Sequence, residues 1–345
     1  MKWFNNTSQT AGLEIYNGGL RLARFSVKPE RGHVIRSSSC SLPRDTLNVS
    51  FQTENIQNSE AFRQAIKVAM ASCSMTKGKK VGISLPREAV KMVVLPFEDI
   101  PVKKEAAMEL IKWTVTRNLP VSIRDISVSW HDMGKDDQGR QVLLVAMAAE
   151  AVLAQYRQEM VSAGVLPVTL SSTALNRYNF YADFLPGRGG CVYLDISEYF
   201  ITMAGFLEEI PLFFKTVKRG FVCGRLSMRS MEKAGKCVQN ETASKHNGCD
   251  NEIFLMIDHC LHGWEEISFI QGVIVSNEAD RAKTTRYLQQ KGVDDVIIVA
   301  SEGLFRAAND EYVVLSDQET AQFAAAAGAA QIRAQGKNGV VHETH

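Results

Sequence analysis

Leu13-Glu14-Ile15-Tyr16-Asn17-Gly18-Gly19-Leu20-Arg21-Leu22-Ala23-Arg24-Phe25 is echoed, about half a chain length later, by Leu194-Asp195-Ile196-Ser197-Glu198-Tyr199-Phe200-Ile201-Thr202-Met203-Ala204-Gly205-Phe206. In each stretch an apolar strand ends in an acidic residue followed by Ile. A short turn comes next, then a second strand in which apolar and polar residues alternate. A repeat at this spacing predicts two similar α/β lobes facing each other across a cleft, with the two turns at its mouth. Turns so placed are where such folds hold nucleotide phosphates.

Size and composition set the outer bounds. The 345 residues are 45% hydrophobic and 22% charged, with a formal net charge of +1, enough chain for two cores and an ordinary globular balance. That balance gives no electrostatic reason to expect nucleic acid or an acidic membrane surface as the main partner. No apolar run approaches the roughly 18–20 residues that cross a bilayer. Met1-Lys2-Trp3-Phe4-Asn5-Asn6 is too short and polar for a signal peptide, so membrane association is expected to come through a partner, without direct insertion. The seven cysteines are odd in number and scattered, several in apolar segments such as that of Cys191. Free thiols in a reducing cytoplasm are expected rather than a disulfide framework.

Strand-like and helix-like patterns alternate, which predicts α/β architecture. Strands are expected at Ala11–Ile15, Gly19–Val27, Val34–Leu42 and Lys80–Ser84, with an amphipathic helix over Ser59–Ser74. A strand at Ala89–Leu95 is read as stopped by Pro96, and a helix over Val102–Thr116 as ended by Asn118-Leu119-Pro120. Ile126–Met133 and Arg140–Ala148 form a predicted hairpin around Asp136-Asp137-Gln138-Gly139, before a helix at Ala151–Ala163. Residues 86–165 thus read as a small α/β unit inserted into the first lobe. Pro186-Gly187-Arg188-Gly189-Gly190 reads as a hinge. Beyond it, strands are expected at Cys191–Ile196, Tyr199–Phe206, Ile210–Val217, Phe269–Val275 and Val296–Val299. Helices are expected at Phe221–Ala234, Glu252–Leu261, Asp280–Lys291 and the Ala-rich Thr320–Gln331, with a loop between 236 and 250.

Met1-Lys2-Trp3-Phe4 leads to Gly12-Leu13-Glu14-Ile15, Val81-Gly82-Ile83-Ser84-Leu85-Pro86 is followed by Val93-Val94-Leu95-Pro96, and Val142-Leu143-Leu144-Val145-Ala146 comes next. Ala163-Gly164-Val165, Leu194-Asp195-Ile196 and Phe323-Ala324-Ala325-Ala326-Ala327-Gly328-Ala329-Ala330 complete the series. In the order and spacing of these pieces the chain resembles the PilM proteins of type IV pilus assembly, actin-like cytoplasmic proteins related in fold to the division protein FtsA. The resemblance runs over essentially the whole chain.

The resemblance implies an actin-like ATPase fold of two similar lobes with an FtsA-type 1C insertion in the first. Its implied divisions are a first lobe of 9–85 and 166–187, a 1C-like subdomain of 86–165, a second lobe of 188–220 and 263–334, a 2B-like subdomain of 221–262, and a flexible tail of 335–345. It also implies a partner: the cytoplasmic N-terminal peptide of a PilN-like single-span inner-membrane protein, and through it other platform or motor components. The peptide is expected in a groove lined from residues 86–115, with Val93, Leu95, Leu110, Ile111 and Trp113 as its apolar anchors. The lack of a spanning segment fits PilM better than the related type II secretion L proteins.

An actin-like cleft holds ATP and magnesium with two small-residue turns, because backbone N–H groups must approach the phosphates closely. The residues falling there are Asn17, Gly18, Gly19 and Arg21 in the first turn and Asp195 and Ser197 in the second. Against the family pattern, Glu14 replaces Asp, Tyr16 replaces a Gly, and Asn17-Gly18-Gly19 replace a serine run. Arg21 replaces Lys, and Glu198-Tyr199 replace small polar residues. Ser276-Asn277-Glu278-Ala279 stand where an adenosine Gly-Gly is expected. The expectation is a fold that kept its shape and lost its ligand, with no cofactor and no catalytic residue. The rival is a functional actin-like ATP-binding protein or a phosphotransferase, for which Asp195 is the best-placed carboxylate.

Cys237, His246, Cys249, His259, Cys260 and His262 crowd 26 residues but lack paired zinc-ligand spacing, so no metal is expected. Trp113 and Trp130 read as packing residues of the inserted unit, with an interface anchor as the alternative. Lys103, Lys104 and Arg117 read as a solvated helix face, and Asp136-Asp137 as a turn rather than a calcium loop.

Overall fold

The computed structural model describes residues 11–25, 34–118, 125–181, 189–197, 199–219, 247–262, 270–275, 278–293, 295–300, 303–308, 311–316, 324–326 and 329. Two compact units result, Met1–Asp183 with Gln322–His345, and Phe184–Ala321.

In the first unit β1 (Ala11–Tyr16), β2 (Gly19–Phe25) and β3 (Val34–Ser41) form an antiparallel meander. Helix α1 (Ser59–Ser72) follows, capped by the Asn58 side chain, which accepts from the Ala61 N–H at 3.0 Å. β4 (Lys79–Leu85) returns parallel to β1. The chain then leaves this sheet to build a second, smaller one from β5 (Lys91–Phe97), β6 (Ile126–Lys135) and β7 (Gln141–Ala149), in the order β5-β7-β6, with α2 (Lys104–Asn118) against it. α3 (Glu150–Ser162) leads back to β8 (Val165–Ser172), parallel to β4, and α4 (Thr173–Tyr181) follows. The main sheet therefore runs β3-β2-β1-β4-β8.

The second unit repeats that plan. β9 (Gly190–Ile196), β10 (Phe200–Leu207) and β11 (Ile210–Lys218) form the meander. After α5 (Asn247–Leu261) come β12 (Ile270–Val275), parallel to β9, then α6 (Glu278–Gln290) and β13 (Asp295–Ala300), parallel to β12. β14 (Gly303–Ala308) and β15 (Glu311–Ser316) extend the sheet to β11-β10-β9-β12-β13-β14-β15. Its first five strands have the order and directions of the first unit's sheet. The repeat in sequence is a repeat in topology.

Apolar spacing explains the cores. Phe62, Ile66, Ala69 and Met70 of α1 lie at helical intervals and are buried with Val152, Tyr156 and Met160 of α3 against Leu13, Ile15 and Ile83. The Phe62 and Tyr156 rings meet edge to face at 6.3 Å. Polar groups are satisfied inside this packing. Gln155 Oε1 accepts from the Asn55 and Ile56 N–H groups at 2.7 and 2.9 Å, and buried Glu159 accepts from Ser59 Oγ at 2.9 Å and Arg63 Nη1 at 3.2 Å.

Several boundaries differ from the sequence reading. α3 belongs to the first lobe rather than to an insertion of 86–165, because Val152, Tyr156 and Met160 are buried in that lobe's core. The 221–262 segment does not form a subdomain of its own at its C-terminal end. There α5 starts at Asn247, inside the expected loop, and buries Ile253, Met256, Ile257 and Cys260 with Val192, Leu194 and Met203. Ala324–Ala326 group with the first unit rather than the second lobe, and Ala326 packs against Ala23 and Phe25. β5 runs through Pro96 instead of stopping there, since an edge strand needs no N–H on its outer side. β14 and β15 lie beyond the strands expected from the sequence. The helix expected at 221–234, the hinge at 186–188 and the tail at 335–345 lie outside the described residues.

Candidate functional site

The first turn joins β1 to β2 through Asn17 and Gly18, with Tyr16 paired to Gly19 across the hairpin. Gly18 has φ +114°, a value that favours glycine, and its carbonyl accepts from the Leu42 N–H at 2.8 Å. Asn17 and Gly18 are exposed, whereas Gly19 is buried. A β-carbon built on Gly19 would overlap the hydroxyl end of the Tyr16 ring and lie 2.8 Å from the Cys40 carbonyl. The tyrosine therefore rests on the glycine. Above the ring, 4.5 Å from its centroid, sits the Arg21 guanidinium, whose Nη1 also lies 3.4 Å from Oε2 of buried Glu14. The residues present do not fit a bound phosphate here. A phosphate cradle needs bare backbone and an uncommitted cation, and Tyr16 covers the one while Glu14 and Tyr16 engage the other.

The second turn joins β9 to β10. Asp195 is fully buried and faces Thr202 in register, and the Thr202 and Thr216 hydroxyls lie 3.0 Å apart. Ser197 closes the hairpin on itself. Its N–H and Oγ donate to the Phe200 carbonyl at 2.8 and 3.1 Å, and Oγ accepts from the Phe200 N–H at 3.2 Å. Arg219 Nη1 donates to the Ser197 carbonyl at 3.1 Å. The Ser197 donors are already engaged within the hairpin, so they are not free to hold a phosphate. The two turns lie in different units, and each is described within its own.

In the small sheet the expected groove residues separate. Val93 and Leu95 face α2, in one cluster with Ile111, Leu110, Leu143, Val145 and Phe97. Ile111 is fully buried there, so it is core. Trp113, two positions on, is 59% exposed on the outer face of α2 with the Arg117 guanidinium 5.2 Å from its ring; it is not a packing residue, while half-buried Trp130 is. The opposite face of the sheet carries Met92, Val94 and His131, all half-buried, and exposed Pro96. Leu144 lies between Val94 and His131 in register. Alternation along β5 put this second apolar face in the sequence, but nothing local says which face a helix covers. At the far end of the sheet a cavity of about 280 Å³ opens among Trp130, Leu143, Ile100 and Asp132. Asp132 Oδ1 there accepts from the Gly134 N–H at 2.9 Å and from the Gln141 amide.

Other polar features have structural partners. Asp136 Oδ1 accepts from the Gln138 and Arg140 N–H groups at 3.1 and 2.8 Å, and Oδ2 pairs with the Arg140 guanidinium. Partial desolvation raises its pKa, but these bonds outweigh it and hold the carboxyl below its ordinary value. Cys260 is buried in the second core, and burial pushes its thiol up to about 11. The His259 pKa is lowered, first by the Lys215 ammonium and then by burial and His262. Among the described residues no three His, Cys, Asp or Glu converge to hold a metal. Cys237, His246 and the Cys249 side chain lie outside them.

No family model and no curated relative matches the chain. Solved structures do. A chain of a PilM–PilN type IV pilus biogenesis complex superposes with a TM-score of 0.64 at 17% identity, over 95% of this chain and 98% of that one. The fold is the actin-like one. Its doubled topology and that near-complete superposition carry the statement. A Bacteroides thetaiotaomicron protein with an actin-like ATPase fold and unknown function gives 0.48 at 10% identity, over 84% of this chain and 90% of that one. The cytoplasmic domain of EpsL, an inner-membrane component of the Vibrio cholerae type II secretion system, gives 0.42 at 10% identity, over 76% and 81%.

Proposed function

We propose that the chain is a non-enzymatic adaptor of a type IV pilus or a pilus-like secretion machine. In this reading it grips the cytoplasmic N-terminal peptide of a PilN-like inner-membrane protein and is held at that membrane through it. The supporting observation is the superposition on a chain of a PilM–PilN complex across nearly the full length of both chains. The closure of both hairpin turns on their own side chains agrees with a lost nucleotide. No described helix is long and apolar enough to cross a membrane.

The face of the small sheet turned away from α2 is the surface we assign to the peptide, at its β5 edge. β5 is an edge strand, and half-buried Met92 and Val94 give that edge an apolar flank over buried Leu144. An extended segment can add its backbone to such an edge while its side chains enter the flank. This moves the expected anchors from Val93 and Leu95, which face α2, to their neighbours.

Calorimetric titration tests the reading with two ligands: a synthetic peptide of the cytoplasmic N-terminus of a PilN-like protein, and ATP with magnesium. The peptide is expected to bind saturably and Val94→Lys to weaken it at least tenfold, while ATP gives no heat. Tight ATP binding with turnover would replace the adaptor by an ATPase.

A further inference from the structure

The outer face of α2 carries Trp113 at 59% exposure, and no part of the proposed peptide surface includes it. Tryptophan is a favoured interface anchor wherever a partner covers it. Its neighbours along the helix say which partner. Glu109, Trp113 and Arg117 stand four residues apart, so they form one row on the helix surface, with both charged residues exposed. Half-buried Leu110 flanks the row, and the Arg117 guanidinium already lies against the indole.

This row is complementary to its own reverse. Acid, aromatic and base are evenly spaced, so a second helix laid antiparallel with its dyad at Trp113 sets Glu109 opposite Arg117 and Arg117 opposite Glu109. Each charged residue is about 6 Å along the axis from the tryptophan, which keeps both pairs in register at once. We propose that this face of α2 is a self-association surface, and that its occupant is α2 of a second copy of the chain. The indoles form the apolar centre and the two ion pairs the rim. An anionic lipid surface is the poorer match. Glu105 and Glu109 stand among Lys103, Lys112 and Arg117 here, so the face is of mixed charge rather than uniformly basic.

One helix pair buries less than a stable interface needs, so the dimer is weak, with a dissociation constant on the order of 100 μM. Sedimentation velocity of the full chain over a wide concentration range reads it directly. The wild type is expected to shift towards dimer, and Trp113→Ala to weaken association about tenfold or more. Glu109→Arg and Arg117→Glu each set like charges opposite one another, so each protein alone stays monomeric. Mixed together they restore both pairs, and a heterodimer is expected at wild-type strength. All three residues are exposed, so melting curves should be unchanged. A wild type that stays monomeric overturns the proposal, as do charge variants that associate normally or a mixture that fails to. If Trp113→Ala abolishes binding of the PilN-like peptide and leaves self-association untouched, the face belongs to that peptide instead. The adaptor reading can fail without affecting any of these results.

Discussion

Tyr16 rests on Gly19 across the mouth of the first hairpin, with the Arg21 guanidinium 4.5 Å above its ring. Three residues that would serve a phosphate turn, a glycine, a cation and the residue before the turn, are thereby committed to one another. Gly19→Ala is expected to destabilise the protein by about 1–3 kcal/mol, the range for overpacking a filled site. Tyr16→Ala removes only part of the overlap, because the Cys40 carbonyl stays 2.8 Å from the new β-carbon. The double variant should therefore remain less stable than Tyr16→Ala alone in urea unfolding. Gly18→Ala meets no neighbour and costs about 1 kcal/mol through its left-handed φ.

Ile111 and Trp113 sit two positions apart on α2 and should respond oppositely to truncation. Ile111→Ala opens a cavity in the cluster beneath the helix and is expected to cost about 2–5 kcal/mol. Trp113→Ala should change stability by less than about 0.5 kcal/mol, as at other exposed positions. Equal losses in denaturant would mean that Trp113 is packed after all.

His131 makes stability depend on acid. Burial lowers its pKa, and Asp132 beside it offsets part of that shift. The unfolded chain then binds a proton more readily than the folded one, so stability is full above about pH 6.5 and falls as pH drops below that ordinary value. His131→Gln should flatten the fall in melting temperature between about pH 7.5 and 5.5. An unchanged slope would assign it to other groups.

Glu159 ties α3 to α1 through Ser59 and Arg63 from a buried position. Glu159→Ala leaves the half-buried Ser59 hydroxyl without its acceptor and takes from Arg63 one of its two carboxylate partners, for about 2 kcal/mol. Ser59→Ala, which removes one bond and leaves the Arg63 pair, should cost about half as much. Comparable losses from both would show that the Arg63 pair, 29% exposed, adds nothing.

The doubled lobe could be read before any coordinates because strand alternation and turn residues are local. Leu13–Phe25 and Leu194–Phe206 match position by position, and both fold as the first hairpin of a five-strand run. The drift at the turns could be read too, since Tyr16 and Glu14 are visible substitutions. What they do there could not. That Tyr16 lies on Gly19 and Arg21 on Tyr16 depends on the pairing of β1 with β2 and on the Cys40 carbonyl of β3 behind them.

The amphipathic spacing of α2 likewise predicted a helix without predicting its outer face. Ile111 and Trp113 are equally apolar on paper, and the sheet chose between them. β5 shows the same limit: it alternates apolar residues to both sides, so Val93 and Leu95 had no local reason to differ from Met92 and Val94.

By itself the sequence determined the periods, the repeat, the order of elements and the loss of small residues at the turns, because each is a property of neighbours along the chain. Tertiary structure alone decided that α3 and Ala326 pack in the first unit, which face of the small sheet meets α2, and which side chains close the turns. Those outcomes depend on contacts between residues tens to hundreds of positions apart, where burial and steric fit choose among faces that the local pattern leaves equivalent.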